Sequence, residues 1–406
     1  MKVIKANSRE FERICNRSSV GKKRIQKTVA RIVEDVQNYG DDALIKYVKQ
    51  FDKVPLPIRQ LRIKEDEINR AYRDLDPKFI TTLKIVIENI NKFYRKELKK
   101  TWRMSSKDGI KLSQAYQPIE RVGVYVPAGT APLVSTVYMT VVPARIAGVK
   151  KIVILTPADK FQKVDPHILV VANLLKVDEI YKVGGAQAIA AMAFGTKTIP
   201  KVDKIVGPGN EYVTEAKRQV FGYVDIDMLA GPSEVVVVAN QFSNPNYVVA
   251  DLRAQAEHHG GLAVLITSSR KLAQQVRKQI KEGYIIIVKN MEQAAHLTNL
   301  IAPEHLQIMI KSPNGLIKKI NKAGAIFTGS YTPTALGDYI AGPSHVLPTG
   351  GTARFFSGLG VDDFIKKTHI VSYTKKALEK VKDRVEMLSE IEGLKRHSES
   401  IKIRFE

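Results

Sequence analysis

The chain of 406 residues holds a single cysteine, Cys15. An intrachain disulfide is therefore excluded, and the composition fits a reducing cytoplasm, the compartment we expect. Long apolar runs are also missing. Runs such as those in Glu234–Ala239 and Tyr284–Val288 have the length of a strand and fall far short of a membrane span. The N-terminus, Met1-Lys-Val-Ile-Lys, has no apolar core of the kind a signal peptide needs. No Gly-x-Gly-x-x-Gly fingerprint occurs, so a standard dinucleotide site is not announced. Acids are scarce: 41 Asp and Glu stand against 64 Lys and Arg, a net charge of +23. Such a balance raises nucleic-acid binding as a reading. The cations are spread along the whole chain, however, and alternate with acids on helix faces, as in 375–384. No RNA-binding aromatic signature or zinc-finger spacing accompanies them. A solvated basic surface is the simpler account, with no specific nucleic-acid partner expected.

What remains is the pattern of a soluble α/β protein. Residues 7 to about 100 read as helices, among them 22–39, 41–51 and 77–100, and 101–118 as a hairpin. From Arg121 short apolar strands alternate with helices. Strands are expected at 151–155, 179–183 and 204–206, with helices at 166–175, 188–194 and 211–221. A second series has strands at 234–239, 262–267, 284–289, 306–310 and 325–328, and a helix at 244–258. Alternation of this kind implies parallel, Rossmann-like sheets. The Gly/Pro/Ser/Thr-rich stretch 330–362 is too long for a simple connection. Leu378, Val381, Val385, Leu388 and Ile391 form an apolar stripe that needs a partner surface. A short strand is expected at 400–405.

Only eight histidines occur, and several lie where function is usually held. Gln255 and His258 are three residues apart at the end of the 244–258 helix, so they share a face. A carbonyl oxygen and an imidazole side by side form half of a metal site. Glu304-His305, Asp338, His345 and His397 offer the other half, each near an element end with Gly, Pro or Ser neighbours. Glu304-His305 also pairs a group that can activate water with one that can shuttle a proton. Three Gly-rich loops, 124–130, 184–187 and 207–210, leave strands and open helices, where amides attract phosphate. From these residues alone a metal site beside a nucleotide site is the reading, with a zinc hydrolase using Glu304 as base and a basic nucleic-acid-binding protein as alternatives.

Taken together, the motifs resemble the histidinol dehydrogenase family. The resemblance runs from about Arg121 to His397. It rests on Gly123-Val-Tyr-Val-Pro127, Val183-Gly-Gly-Ala-Gln187, Val206-Gly-Pro-Gly-Asn210, Ala230-Gly-Pro-Ser-Glu234, Gln255-Ala-Glu-His258, Pro303-Glu-His-Leu306, Gly337-Asp-Tyr339 and Ser344-His-Val-Leu-Pro-Thr349. It implies two Rossmann-like parallel-sheet domains with a helical N-terminal region and a C-terminal dimerisation arm. The divisions expected are 1–118 with 236–365, carrying metal and catalytic residues; 119–235, binding nucleotide; and 366–406, the arm. The implied reaction is the zinc-dependent oxidation of L-histidinol to L-histidine through the aldehyde, with two NAD, in the last steps of histidine biosynthesis. Carried over, the pattern makes Gln255, His258, Asp338 and His397 the ligands of one zinc per subunit. Glu304 becomes the water-activating base and His305 the proton-transfer residue. Ser233, His345 and Glu392 join these groups in contacting substrate, and Tyr125, Gln187 and Asn210 contact NAD. The family also implies a homodimer in which Glu392 and His397 complete the partner's site.

Overall fold

A computed structural model describes residues 1–17, 23–52, 55–128, 131–257 and 260–406. It divides into two compact units. The first comprises Met1–Glu97 and Ile119–Phe364, and the second Leu98–Pro118 and Ile365–Glu406.

Two parallel sheets organise the first unit. The six-stranded sheet runs, edge to edge, Lys2–Ile4, Tyr284–Ile287, Leu262–Thr267, Glu234–Ala239, His305–Met309 and Ala325–Thr328. Every neighbouring pair is parallel. Its centre is the Val235–Val238 run, wholly buried, as expected of a strand covered on both faces. Because side chains alternate, Val236 and Val238 enter one core, with Phe11, Ile301 and Leu306. Val235 and Val237 enter the other, with Val248, Leu252 and Val276. The first core seats the helix Arg9–Cys15, and the second the helix Pro245–Ala256.

The five-stranded sheet has the order Glu179–Lys182, Lys151–Thr156, Arg121–Tyr125, Lys204–Val206, Asp225–Ile226. It too is parallel throughout. Successive strands move outward on one side of Arg121–Tyr125 and then on the other. The order reverses between Arg121–Tyr125 and Lys204–Val206, and such a switch point opens a crevice at the carboxyl ends of the strands. All three Gly-rich loops leave this carboxyl edge. Helix Val134–Ala147, buried along nearly its whole length with Pro143 inside it, follows the central strand. It was not expected, since a helix buried all round has no amphipathic period.

The second unit contains an antiparallel sheet, Ile365–Ser372 beside Lys111–Pro118 beside Trp102–Ser105. The last two are the hairpin expected at 101–118. The expected stripe at 378–391 forms two helices, Lys375–Glu379 and Lys382–Ile391. The strand expected at 400–405 is absent. Residues Lys395–Lys402 form a helix instead, with Lys402 Nζ 3.7 Å from Glu386 and 3.6 Å from Glu390. Alternation of Ile401, Ile403 and Phe405 is too short to outweigh the helix-forming Lys, Arg and Glu before it. Helix 77–100 also ends early, at Tyr94. The Tyr94 hydroxyl donates to the Leu359 carbonyl at 2.7 Å, and Glu97 accepts the Val361 amide at 3.0 Å. No helix among the described residues is long and apolar enough to cross a membrane.

Candidate active site

The amino edge of the six-stranded sheet faces a pocket of about 180 Å³. Ser233, Gln255, Glu304, His305, Asp338 and His345 all line it. Leu133, Ser135 and Pro208, from the carboxyl edge of the five-stranded sheet, close the other side.

Each residue is placed by a local device. Helix Pro245–Ala256 begins at Asn244, whose side chain accepts the Asn246 amide, and Pro occupies its first position. Its last turn carries Gln255 into the pocket, 4% exposed, with Nε2 lacking any partner. An unpartnered buried amide is uncommon, and a bound ligand is one way to supply its partner. His258, expected beside it, lies outside the described residues, as does His259. Asp338 sits in the short helix Thr334–Tyr339. Gly337 before it has no room for a side chain: a Cβ would fall 2.6 Å from the Phe327 ring.

Glu304 and His305 enter strand His305–Met309 through Ala302, held at φ 48°, and Pro303. Both are buried. The Glu234 amide donates to Glu304 Oε2 at 2.7 Å, and the Glu304 amide donates back to Glu234 Oε2 at 3.3 Å. His305 Nδ1 lies 3.0 Å from the Glu234 carbonyl and 3.4 Å from Glu304 Oε2. A carbonyl can only accept, so Nδ1 carries the hydrogen and Nε2 is the basic nitrogen. Nε2 has no hydrogen-bond partner among the described residues; Asp338 Oδ1 lies 3.5 Å away, where it would attract a proton taken up on Nε2. Burial pushes the Glu304 carboxyl above the usual carboxylate range, against the pull of His305. In His305 burial works downward but is outweighed by the Glu304 and Asp338 carboxylates, so its affinity for a proton rises. His345 places Nδ1 3.1 Å from the Asp338 carbonyl. Burial holds its imidazole below the ordinary value.

The cofactor residues expected from sequence gather at the carboxyl edge of the five-stranded sheet. Asn210 caps helix Glu211–Val220, accepting the Tyr212 and Val213 amides at 3.0 and 3.1 Å. Gln187 is buried in the first turn of helix Gly185–Phe194, with Nε2 unpartnered. The Tyr125 hydroxyl accepts the Gly185 amide at 3.0 Å, so that donor is already taken by the protein. A larger pocket, about 350 Å³, opens along the same edge beside Ala128, Pro132, Pro157 and Lys163. Its lining includes Glu67, Arg70, Asp74, Asp159 and Asp165, whereas Glu304 and His305 lie in the smaller pocket.

Glu392 and His397 are in the second unit, at the end of helix Lys382–Ile391 and in helix Lys395–Lys402. Among the described residues no group of three or more His, Cys, Asp or Glu side chains is arranged to hold a metal. Of the four ligands the resemblance implies, Gln255 and Asp338 therefore meet in this pocket.

Comparison with known proteins gives the family. The family model described as histidinol dehydrogenase matches residues 15–405. A histidinol dehydrogenase of Listeria innocua is 49% identical, over 96% of this chain and 95% of that protein. One from Caldanaerobacter subterraneus is 47% identical, over 97% and 96%. The crystal structure of the histidinol dehydrogenase from Elizabethkingia anophelis superposes with a TM-score of 0.93 at 37% identity, covering 100% of this chain and 98% of that one.

Proposed function

The chain belongs to the histidinol dehydrogenase family, and from that premise we propose that it oxidises L-histidinol to L-histidine with NAD, in histidine biosynthesis. The observation that carries the reading is the Glu304–His305 pair, buried behind Asp338, Gln255 and Ser233 in one pocket.

Two oxidations are needed. In the first, the alcohol carbon loses hydride to NAD and its hydroxyl loses a proton, leaving the aldehyde. His305 Nε2 takes that proton, since its Nδ1–H is committed to the Glu234 carbonyl. In the second, water adds to the aldehyde carbon. Glu304 accepts the proton from this water, and the hydrate then gives hydride to a second NAD, leaving the carboxylic acid. A buried carboxyl with raised proton affinity is suited to that task. No cysteine takes part: Cys15 is half-buried, and burial raises its thiol above the ordinary range, the opposite of an activated nucleophile. The hydrolase reading leaves the three loops on the five-stranded sheet without a purpose.

Gln255, His258, Asp338 and His397 would hold zinc. Oxygen and imidazole donors suit it; Gln255 would bind through Oε1, and its buried Nε2, unpartnered among the described residues, is free to donate to a bound group. Zinc, when bound, supplies a Lewis acid that holds the imidazole and amine of histidinol. Ser233, His345 and Glu392 contact the substrate; Tyr125, Gln187 and Asn210 contact NAD. The active species is a homodimer in which residues 366–406 cross to the neighbour, so that Glu392 and His397 complete the partner's site. Cyclic exchange of identical arms is compatible with two-fold symmetry. The test is stoichiometric: absorbance should record two NADH per histidinol consumed, and metal-stripped protein should recover the rate on adding zinc. Release of NADH in equal amount to histidinol, or none, would refute the four-electron reading.

A further inference from the structure

Behind Glu304 and His305 stands a buried ion pair that no step above uses. Arg17 follows the helix Arg9–Cys15, and Glu234 opens the central strand of the six-stranded sheet. Their side chains are 16% and 4% exposed. The guanidinium is fully spent. Nε donates to Glu234 Oε1 at 2.5 Å, and Nη2 donates to Glu234 Oε2. Nη1 donates to the carbonyls of Ile14 at 2.7 Å and Ile301 at 2.8 Å, and Nη2 also reaches the Ala302 carbonyl at 3.4 Å. These five contacts match the five N–H groups a guanidinium has.

Glu234 in turn holds the acid–base pair at three points. Its amide donates to Glu304 Oε2, its carboxylate caps the Glu304 amide, and its carbonyl fixes the tautomer of His305. Its other oxygen accepts the Gly350 amide at 2.9 Å. Arg17 thus grips both Glu234 and the carbonyls of Ile301 and Ala302, three and two residues before Glu304. Ala302 has a left-handed backbone, uncommon for a residue with a side chain, so this approach to Glu304 depends on outside support.

We infer that Arg17 and Glu234 are positioning residues for the water-activating step. Arg17 sets the backbone entering Glu304 and the carboxylate that caps it, and so the aim of the Glu304 side chain. The assignment rests on the function proposed above. A buried ion pair that served stability alone would be replaceable by apolar residues of similar volume. A positioning pair would not, because a small displacement of a catalytic group costs up to about 10²-fold in rate.

The test compares wild type with Arg17→Ala and Arg17→Lys, supplying histidinol and histidinal separately with NAD. For Arg17→Ala the aldehyde step should fall by about 10²-fold and the alcohol step by much less, with the KM for histidinol little changed. Millimolar methylguanidinium should restore part of the aldehyde step. Arg17→Lys, with three donors for five acceptor positions, should recover only a fraction. Should Arg17→Ala not accumulate as folded protein, Arg17→Lys and Glu234→Gln carry the same comparison. Equal loss in both steps, or wild-type rates throughout, overturns the assignment. Absence of NADH from wild type with histidinol would overturn the reaction instead. In that case carbon NMR of the Glu304 carboxyl decides the positioning. A changed Glu304 carboxyl signal in Arg17→Ala supports it, and an unchanged one overturns it.

Discussion

Lys217→Met should destabilise the first unit by about 3–5 kcal/mol, the usual cost of stripping one partner from a buried ion pair. Lys217 and Asp227 have side chains 2% and 0% exposed. The ammonium donates to Asp227 Oδ1 and, at 3.0 Å, to the Gly207 carbonyl. Methionine keeps the stem and fills the space. What it leaves behind is a buried carboxylate with two remaining donors, the Gly207 amide at 2.8 Å and the Met228 amide at 2.6 Å. Those two bonds place the effect toward the low end of the range. The freed Gly207 carbonyl adds about 1 kcal/mol. Gly207 itself has no slack to relax: its φ is 112°, and a Cβ there would meet the Tyr125 carbonyl oxygen at 2.2 Å. Urea unfolding followed by far-ultraviolet circular dichroism measures the loss. The double variant Lys217→Met, Asp227→Asn removes the stranded charge and should regain at least about 1 kcal/mol over the single one. A single-variant loss below about 1 kcal/mol, or a double variant worse than the single, would refute the argument. Since the pair braces the loop that carries Asn210, the KM for NAD should rise in Lys217→Met while kcat holds.

Three further outcomes follow from the site. Glu304→Gln should damage aldehyde oxidation far more than alcohol oxidation, His305→Ala should slow both, and Cys15→Ser should leave the rate unchanged; stopped-flow with each substrate separates them. Burial raises the Asp52 carboxyl to about 6, above its unfolded value, so the folded state favours the protonated form and loses that advantage as pH climbs from about 4 to about 6. Asp52→Asn should therefore gain more stability relative to wild type at pH 8 than at pH 4, read from urea midpoints; a gain independent of pH would contradict this. Glu304→Gln and His397→Ala proteins, each nearly inactive in aldehyde oxidation, should recover part of that activity when refolded together into mixed dimers. Tagged mixed dimers without activity would place His397 in its own chain's site.

The sheets were legible because buried parallel strands are written as runs of Val and Ile. The elements missed break that rule. Lys2–Ile4 is a three-residue edge strand with Val3 exposed. Ile365–Ser372 carries Lys366, Lys367, Thr368 and His369 and is largely exposed, so it shows no alternation. In the site, Gln255, Glu304, Asp338 and His345 were visible as polar groups at element ends. Arg17 and Glu234 were not, because their importance comes from a contact between residues 217 apart in sequence. One signal was present: a lone carboxylate heading an otherwise wholly apolar strand needs a cation, and the sequence does not say which.

The two sheets meet the pocket with opposite ends. Glu304 and His305 come from where one set of strands begins, and Pro208, in the 207–210 loop, from where the other set finishes. On the function proposed above, each half of the reaction would have its own scaffold and its own connections. Altering the 184–187 or 207–210 turns would then retune the choice or affinity of the electron acceptor without moving a proton-transfer group. Altering the 337–345 segment would change what is oxidised without touching the acceptor. A chain built this way can exchange one specificity while keeping the other, which makes the five-stranded half the natural starting point for redirecting its cofactor use.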